Sequence, residues 1–196
     1  VNTEYIQSTP NGMGTWLAVF DNNGDLAGSI SQRPDLMPLL DVLEKKGDEI
    51  FANADSIIIE VDVDKEIVKK VVELCEKHQK KLYGVVSNMS IAVERRDFLQ
   101  KFDCFICNQL EAGMFFADDF SETAPKELAE ILAKKLQLAK IPSMVVTMGG
   151  AGSVYADMKG KNGFCPAKKV QVKDTTGAGD AFCAGVSSGL TYGKTL

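Results

Sequence analysis

The chain has 196 residues, of which 45% are apolar and 25% charged, and it carries a net charge of −5. This balance suits a folded domain with a sizeable core and argues against binding to a nucleic-acid backbone, which requires a clustered positive surface. No apolar run nears the ~20 residues of a membrane-spanning helix, and five cysteines, an odd number in a chain too long to need disulfide staples, point to a reducing, cytoplasmic setting.

The chain starts at Val1 in a polar stretch and stops at Leu196, so both ends read as cut. Residues 14–20 and 25–31 flank Asp21-Asn22-Asn23-Gly24, and Asn-Gly supplies the positive φ angles of a tight hairpin turn. The spacing predicts a two-stranded antiparallel ribbon that must lean on a larger body, because a lone ribbon is marginal in water. From residue 36 short apolar runs alternate with helical patterns. Strands are expected at Ser56–Val61, Lys81–Val86, Cys104–Asn108 and Ser143–Met148. A helix from about Asp64, which can cap it, carries Ile67, Val71, Leu74, Cys75 and His78 on one face. Leu128, Ile131, Leu132 and Leu136 repeat that pattern before the fourth strand. The expected fold class is α/β: a mostly parallel sheet flanked by helices on both faces, with right-handed crossovers. Residues 1–32 would form a small β-hairpin lid and residues 33–196 the α/β core. Ligands of such sheets sit at the carboxyl ends of the strands.

The segment richest in chemistry is Asp174-Thr175-Thr176-Gly177-Ala178-Gly179-Asp180-Ala181-Phe182. It follows a strand-like run, Lys169–Lys173, and opens a helix of small residues over roughly Ala178–Leu190. Gly177, Ala178 and Gly179 have almost no side chains, so a ligand can approach the backbone and its N–H groups stay open. At a helix start those donors and the helix dipole favour an anion such as a polyphosphate. Asp180 in the same turn repels phosphate, which makes sense if its carboxylate takes a proton from an attacking hydroxyl. The plainer alternative is a glycine-rich helix start packed on the sheet, with Asp180 facing the dipole.

The stretch Asp174–Ser187 resembles the second signature of the ribokinase/PfkB carbohydrate kinases. Asn108-Gln109-Leu110-Glu111 is similar to the NxxE motif of that family, and Thr147-Met148-Gly149-Gly150-Ala151-Gly152 to its TxGxxG turn. The hairpin resembles its substrate lid. The resemblance implies a ribokinase-like fold and transfer of the γ-phosphoryl group of ATP to a primary hydroxyl of a sugar or nucleoside. It implies Asp180 as catalytic base, with the amides of Gly177, Ala178 and Gly179 as an anion hole. Asn108 and Glu111 would organise Mg²⁺ and the phosphates largely through water, since Mg²⁺ takes few protein ligands. Thr147, Gly149 and Gly152 would cradle ATP, and Asp174 would help to hold a monovalent cation such as K⁺. The hairpin and the run Val145–Phe164 look most like pseudouridine kinases, so pseudouridine is the first expected acceptor, ahead of ribose, another nucleoside or a ketohexose. The first glycine pair of the family, its sugar-gripping Asp and the helices closing the adenine pocket have no counterpart here. The chain therefore reads as a fragment, weakly active or inactive by itself. Cys107 stands where a proline often precedes the asparagine, and Gly84-Val85 replaces an Asp-Pro pair.

Other features carry less. Cys104 and Cys107 read as CxxC, but residues i and i+3 of a strand face opposite sides and cannot share a metal. Gly189–Thr195 imitates a P-loop, but with three residues between its glycines and a helix before it. His78, the only histidine, belongs to a helix end. Trp16 either packs on the main body or faces the sugar. A non-catalytic sugar- or nucleoside-binding protein is the rival reading, and it leaves Asp180 unexplained. The open edges of the ribbon make a homodimer through residues 14–31 plausible.

Overall fold

The computed structural model describes residues 2–10, 13–20, 22 and 26–196. Strands β1 (Thr15–Phe20) and β2 (Leu26–Gln32) pair antiparallel, with Trp16 opposite Ser31. The turn expected at 21–24 lies outside the described residues except for Asn22. The ribbon forms its own sheet.

The remaining elements follow in order: α1 (Met37–Asn53), β3 (Ser56–Glu60), α2 (Lys65–His78), β4 (Lys81–Val85), the short helices α3 (Met89–Val93) and α4 (Arg96–Leu99), β5 (Cys104–Asn108), α5 (Gln109–Phe116), α6 (Pro125–Ala139), β6 (Ser143–Thr147), β7 (Gly152–Asp157), β8 (Asn162–Pro166) and α7 (Ala178–Thr191). The six strands β3 to β8 lie side by side in chain order. β3 to β6 are parallel, and β7 and β8 return antiparallel. The parallel half arises because each connection from β3 to β6 contains a helix.

Local chemistry sets the helix ends. Asp64 occupies the N-cap of α2, yet its side chain makes no cap bond. Its carbonyl accepts from the Ile67 and Val68 amides instead, which corrects the expected carboxylate cap. Gln79 and Lys140 end α2 and α6 in the left-handed conformation, and the next amides, Lys80 and Ile141, donate back to Cys75 and Leu136.

The sheet separates two apolar layers. Leu82, Phe105, Cys107, Met144 and Val146 face the large layer built with α1, α2, α5 and α6. Tyr83, Cys104, Ile106 and Val145 face the other way and meet Cys183, Phe182, Val186 and Leu190 of α7. Cys104 and Cys107 thus lie on opposite faces, as strand alternation requires. Gly84 has a steric reason: a Cβ there would stand 2.5 Å from the Phe102 ring.

One expected strand is absent. Residues 169–173 run beside no ladder, and Val170 and Val172 are exposed at 74% and 66%. Strand-like composition does not make a strand where no neighbour takes up its backbone groups.

Candidate active site

Because β3 to β6 are parallel, their carboxyl ends share one rim. Glu60 ends β3, Ser87 follows β4, Asn108 ends β5 and Thr147 ends β6. The amino end of α7 comes to the same rim. A cavity of about 460 Å³ is lined by Asn108, Glu111, Thr147, Gly177, Gly179 and Asp180, together with Trp16 of the hairpin. A neighbouring cavity of about 740 Å³ adds Ser29, Ser31, Arg33, Asp62 and Thr176 to Trp16, Gly177 and Asp180. Trp16, 53% exposed, therefore faces these cavities rather than the core.

At the mouth of α7, Gly177 takes a left-handed φ of 75°, which glycine adopts without strain. A Cβ on Gly177 or Gly179 would meet nothing within 4 Å, so the space before the helix is open. Among the described residues no acceptor engages the Gly177 or Gly179 amides. The Ala178 amide donates to Thr175 O at 3.0 Å, closing the turn before the helix. The expected trio of free amides is therefore a pair. Asp180 is exposed in the first helical turn. Asp174 closes a small turn, its Oδ1 accepting from the Thr176 amide at 2.8 Å, and this bond holds its carboxyl below the usual range.

Asn108 and Glu111 clasp each other. Asn108 Oδ1 accepts from the Glu111 amide at 2.8 Å, and Glu111 Oε2 accepts from the Asn108 amide at 2.7 Å, a complete capping box for α5. Burial pushes the Glu111 carboxyl up, against the pull of the Asn108 amide. Glu111 Oε1 stays free of these bonds, a donor set that fits a hydrated Mg²⁺ held through water better than one ligated directly. Among the described residues no three His, Cys, Asp or Glu side chains gather as a metal cluster.

Asn108 and Thr147 also border a second cavity of about 960 Å³, with Gly149, Leu110, Met114 and Phe120. Gly152 is elsewhere: at φ 118° a Cβ would stand 2.1 Å from Cys165 O, so its glycine serves the close approach of β7 and β8. His78 pairs with Asp48 at the end of α2, away from the rim.

The sequence reading missed Arg33, Glu60, Asp62 and Ser87. Arg33 pairs with Asp62 at 2.9 Å, and Glu60 accepts from the Ser87 amide and hydroxyl at 3.2 and 2.9 Å. Burial, then the adjacent Asp62, pushes the Glu60 carboxyl up to about 8. The available signal was two acidic residues, Glu60 and Asp62, at alternate positions closing an apolar strand.

The arrangement is that of an α/β kinase fold. Ribokinase of Arabidopsis thaliana, solved with ribose and ATP, superimposes with a TM-score of 0.72 at 19% identity, covering 93% of this chain and 57% of that one. The whole chain, residues 1–196, matches the family described as pfkB family carbohydrate kinase, and the protein belongs to that family. It is 35% identical over 196 residues to the guanosine-inosine kinase of Exiguobacterium acetylicum, covering 99% of this chain and 64% of that protein. It is 32% identical over 96 residues to the pseudouridine kinase of Escherichia coli, covering 49% of this chain and 30% of that protein.

Proposed function

We propose that the protein transfers the γ-phosphoryl group of ATP to a sugar hydroxyl of a nucleoside, and that a 6-oxopurine nucleoside such as inosine or guanosine is a better acceptor than pseudouridine. The observation carrying the reaction is the joint placement of Asp180 and the open amides of Gly177 and Gly179 around one cavity. In this reading Asp180 accepts the proton of the attacking hydroxyl. The two amides and the dipole of α7 receive the charge that builds on the transferring group. Bound Mg²⁺ would neutralise phosphate charge, and Glu111 Oε1 and Asn108 would hold its water shell. Thr147 and Gly149 border the groove read as the nucleotide side. Such catalysis rests on positioning and electrostatics, which suits a site without a covalent nucleophile.

The likeness to guanosine-inosine kinase runs along nearly the whole chain, and that to pseudouridine kinase along half of it. This supports moving pseudouridine behind the 6-oxopurines. The test is a panel of inosine, guanosine, pseudouridine, adenosine, ribose and fructose, assayed with ATP and Mg²⁺ on the full-length protein. The expected outcome is the highest kcat/KM with inosine or guanosine. A preference for free ribose or fructose rejects the nucleoside reading, and no phosphorylation of any acceptor favours a non-catalytic binder.

A further inference from the structure

Asp62 is nine-tenths buried, and its carboxylate is only half used. Oδ2 meets Arg33 Nη2 at 2.9 Å, and the Asp62 carbonyl accepts from Arg33 Nη1 at 2.9 Å. Oδ1 is buried, and no donor among the described residues reaches it. An idle oxygen on a buried carboxyl group is costly, so it calls for a hydrogen. The adjacent titratable group is Glu60, two residues earlier in the chain, which lines the same pocket as Asp62 and whose carboxyl burial and Asp62 push up. Two neighbouring carboxylates repel, and such a pair is stable with one proton between them. Arg33 decides where it sits: its guanidinium is paired with Asp62 at 2.9 Å, which leaves the proton to Glu60.

We propose that Glu60 donates this shared proton to Asp62 Oδ1, and that the resulting acid–carboxylate pair is a positioning device that fixes the base of the hairpin over the acceptor cavity. The link is short. Arg33 directly follows β2, so its fork on Asp62 ties the hairpin exit to the rim of the main sheet. Glu60 in turn is tied to Ser87 behind β4. Ser29, Ser31 and Trp16 of the hairpin share a cavity with Asp62 and Asp180.

The charged and titratable surroundings are these. Arg33 lies on the hairpin side, and Asp64 and Arg95 line the adjoining pocket. The Arg95 guanidinium is spent on the Val61 and Val63 carbonyls. From α7, Cys183 lies near Glu60 and Asp180 lines the same cavity as Asp62, and from α5 Glu111 lies within electrostatic reach of Asp62. Of these cations, Arg33 alone is paired with the dyad. Loss of the shared proton sets two anions side by side, drives them apart and divides Arg33 between them. The hairpin then loses its fixed seat.

The positioning role rests on the proposed kinase reaction; the shared proton does not. The experiment measures acceptor KM and kcat from about pH 6 to 9.5 on the full-length protein and on Glu60→Gln, whose amide keeps a neutral donor. The wild-type KM for inosine is expected to rise by up to about tenfold per pH unit above the Glu60 transition, with kcat little changed. Glu60→Gln is expected to keep KM flat over that range. An equal alkaline rise in Glu60→Gln, or a flat wild-type profile, overturns the positioning role. Infrared difference spectra read the proton without turnover. A protonated-carboxyl band at neutral pH that vanishes in Glu60→Gln supports the pair, and its absence from the wild type overturns it. If the band is present and no acceptor is phosphorylated, the kinase reading fails and the shared proton stands.

Discussion

Trp16 and Asp180, one from the hairpin and one from the first turn of α7, line the same two cavities. The hairpin therefore closes on the residue read as the base, and the two ends of the chain build one site.

Replacing Asp180 by Asn keeps shape and removes basicity. Turnover should fall by about 10²–10⁴, the usual contribution of a general base. ATP affinity should hold, because the proposed anion hole would be made by backbone amides rather than by the Asp180 side chain. Steady-state kinetics with a parallel nucleotide titration checks this, and near-wild-type turnover would remove Asp180 from the mechanism.

Trp16 is the only tryptophan, so fluorescence reports this corner alone. Acceptor binding should shift its emission to the blue as the ring leaves water. Trp16→Ala should raise acceptor KM by about tenfold, consistent with about 1.4 kcal/mol of lost ring contact. ATP KM should change little. Emission unmoved by a saturating acceptor would place the ring away from the substrate.

Gly152→Ala combines a φ of 118° with a Cβ 2.1 Å from Cys165 O. Its three nearest neighbours, Cys165 O, Ala167 N and Pro166 C, are all backbone, so nothing yields cheaply. A loss of about 2–4 kcal/mol is expected on chemical denaturation. Gly179→Ala, whose Cβ meets nothing within 4 Å, should leave stability within about 1 kcal/mol and act on phosphate binding instead.

The pH dependence of stability follows from Glu60. Its folded-state carboxyl is raised to about 8 from an ordinary 4.5, so the folded state binds the extra proton between these values. The Glu60 contribution to stability therefore falls as pH rises through that window and levels off above it. Denaturant midpoints for the wild type and Glu60→Gln should differ in slope between about pH 5 and 8, with the variant flatter. Parallel slopes would contradict the raised carboxyl.

The parallel strands were legible because each is a short apolar run, as burial on both faces demands. The runs around Ile57–Ile59 and Met144–Val146 carry that signal plainly. The helix α7 and its glycine mouth were legible for the same reason: local sequence sets local backbone. Helix α1 was passed over although Leu43, Gly47 and Phe51 recur every fourth residue on its buried face. The segment 169–173 was misread because apolar alternation says nothing about whether a partner strand is present. That the Ala178 amide is engaged by Thr175 O was not legible, because the turn depends on backbone angles that composition does not fix. The Arg33–Asp62–Glu60 network was out of reach, since it depends on a contact between distant parts of the chain.

Four of the five cysteines are buried, and Cys165 on β8 is exposed. Burial also pushes the thiols of Cys75, Cys104, Cys107 and Cys183 up, so they remain protonated and slow toward electrophiles. A maleimide dye would accordingly settle at one address on the antiparallel edge. With Trp16 as donor, energy transfer to that dye becomes a ruler for hairpin movement in the native sequence, with no engineered label site required.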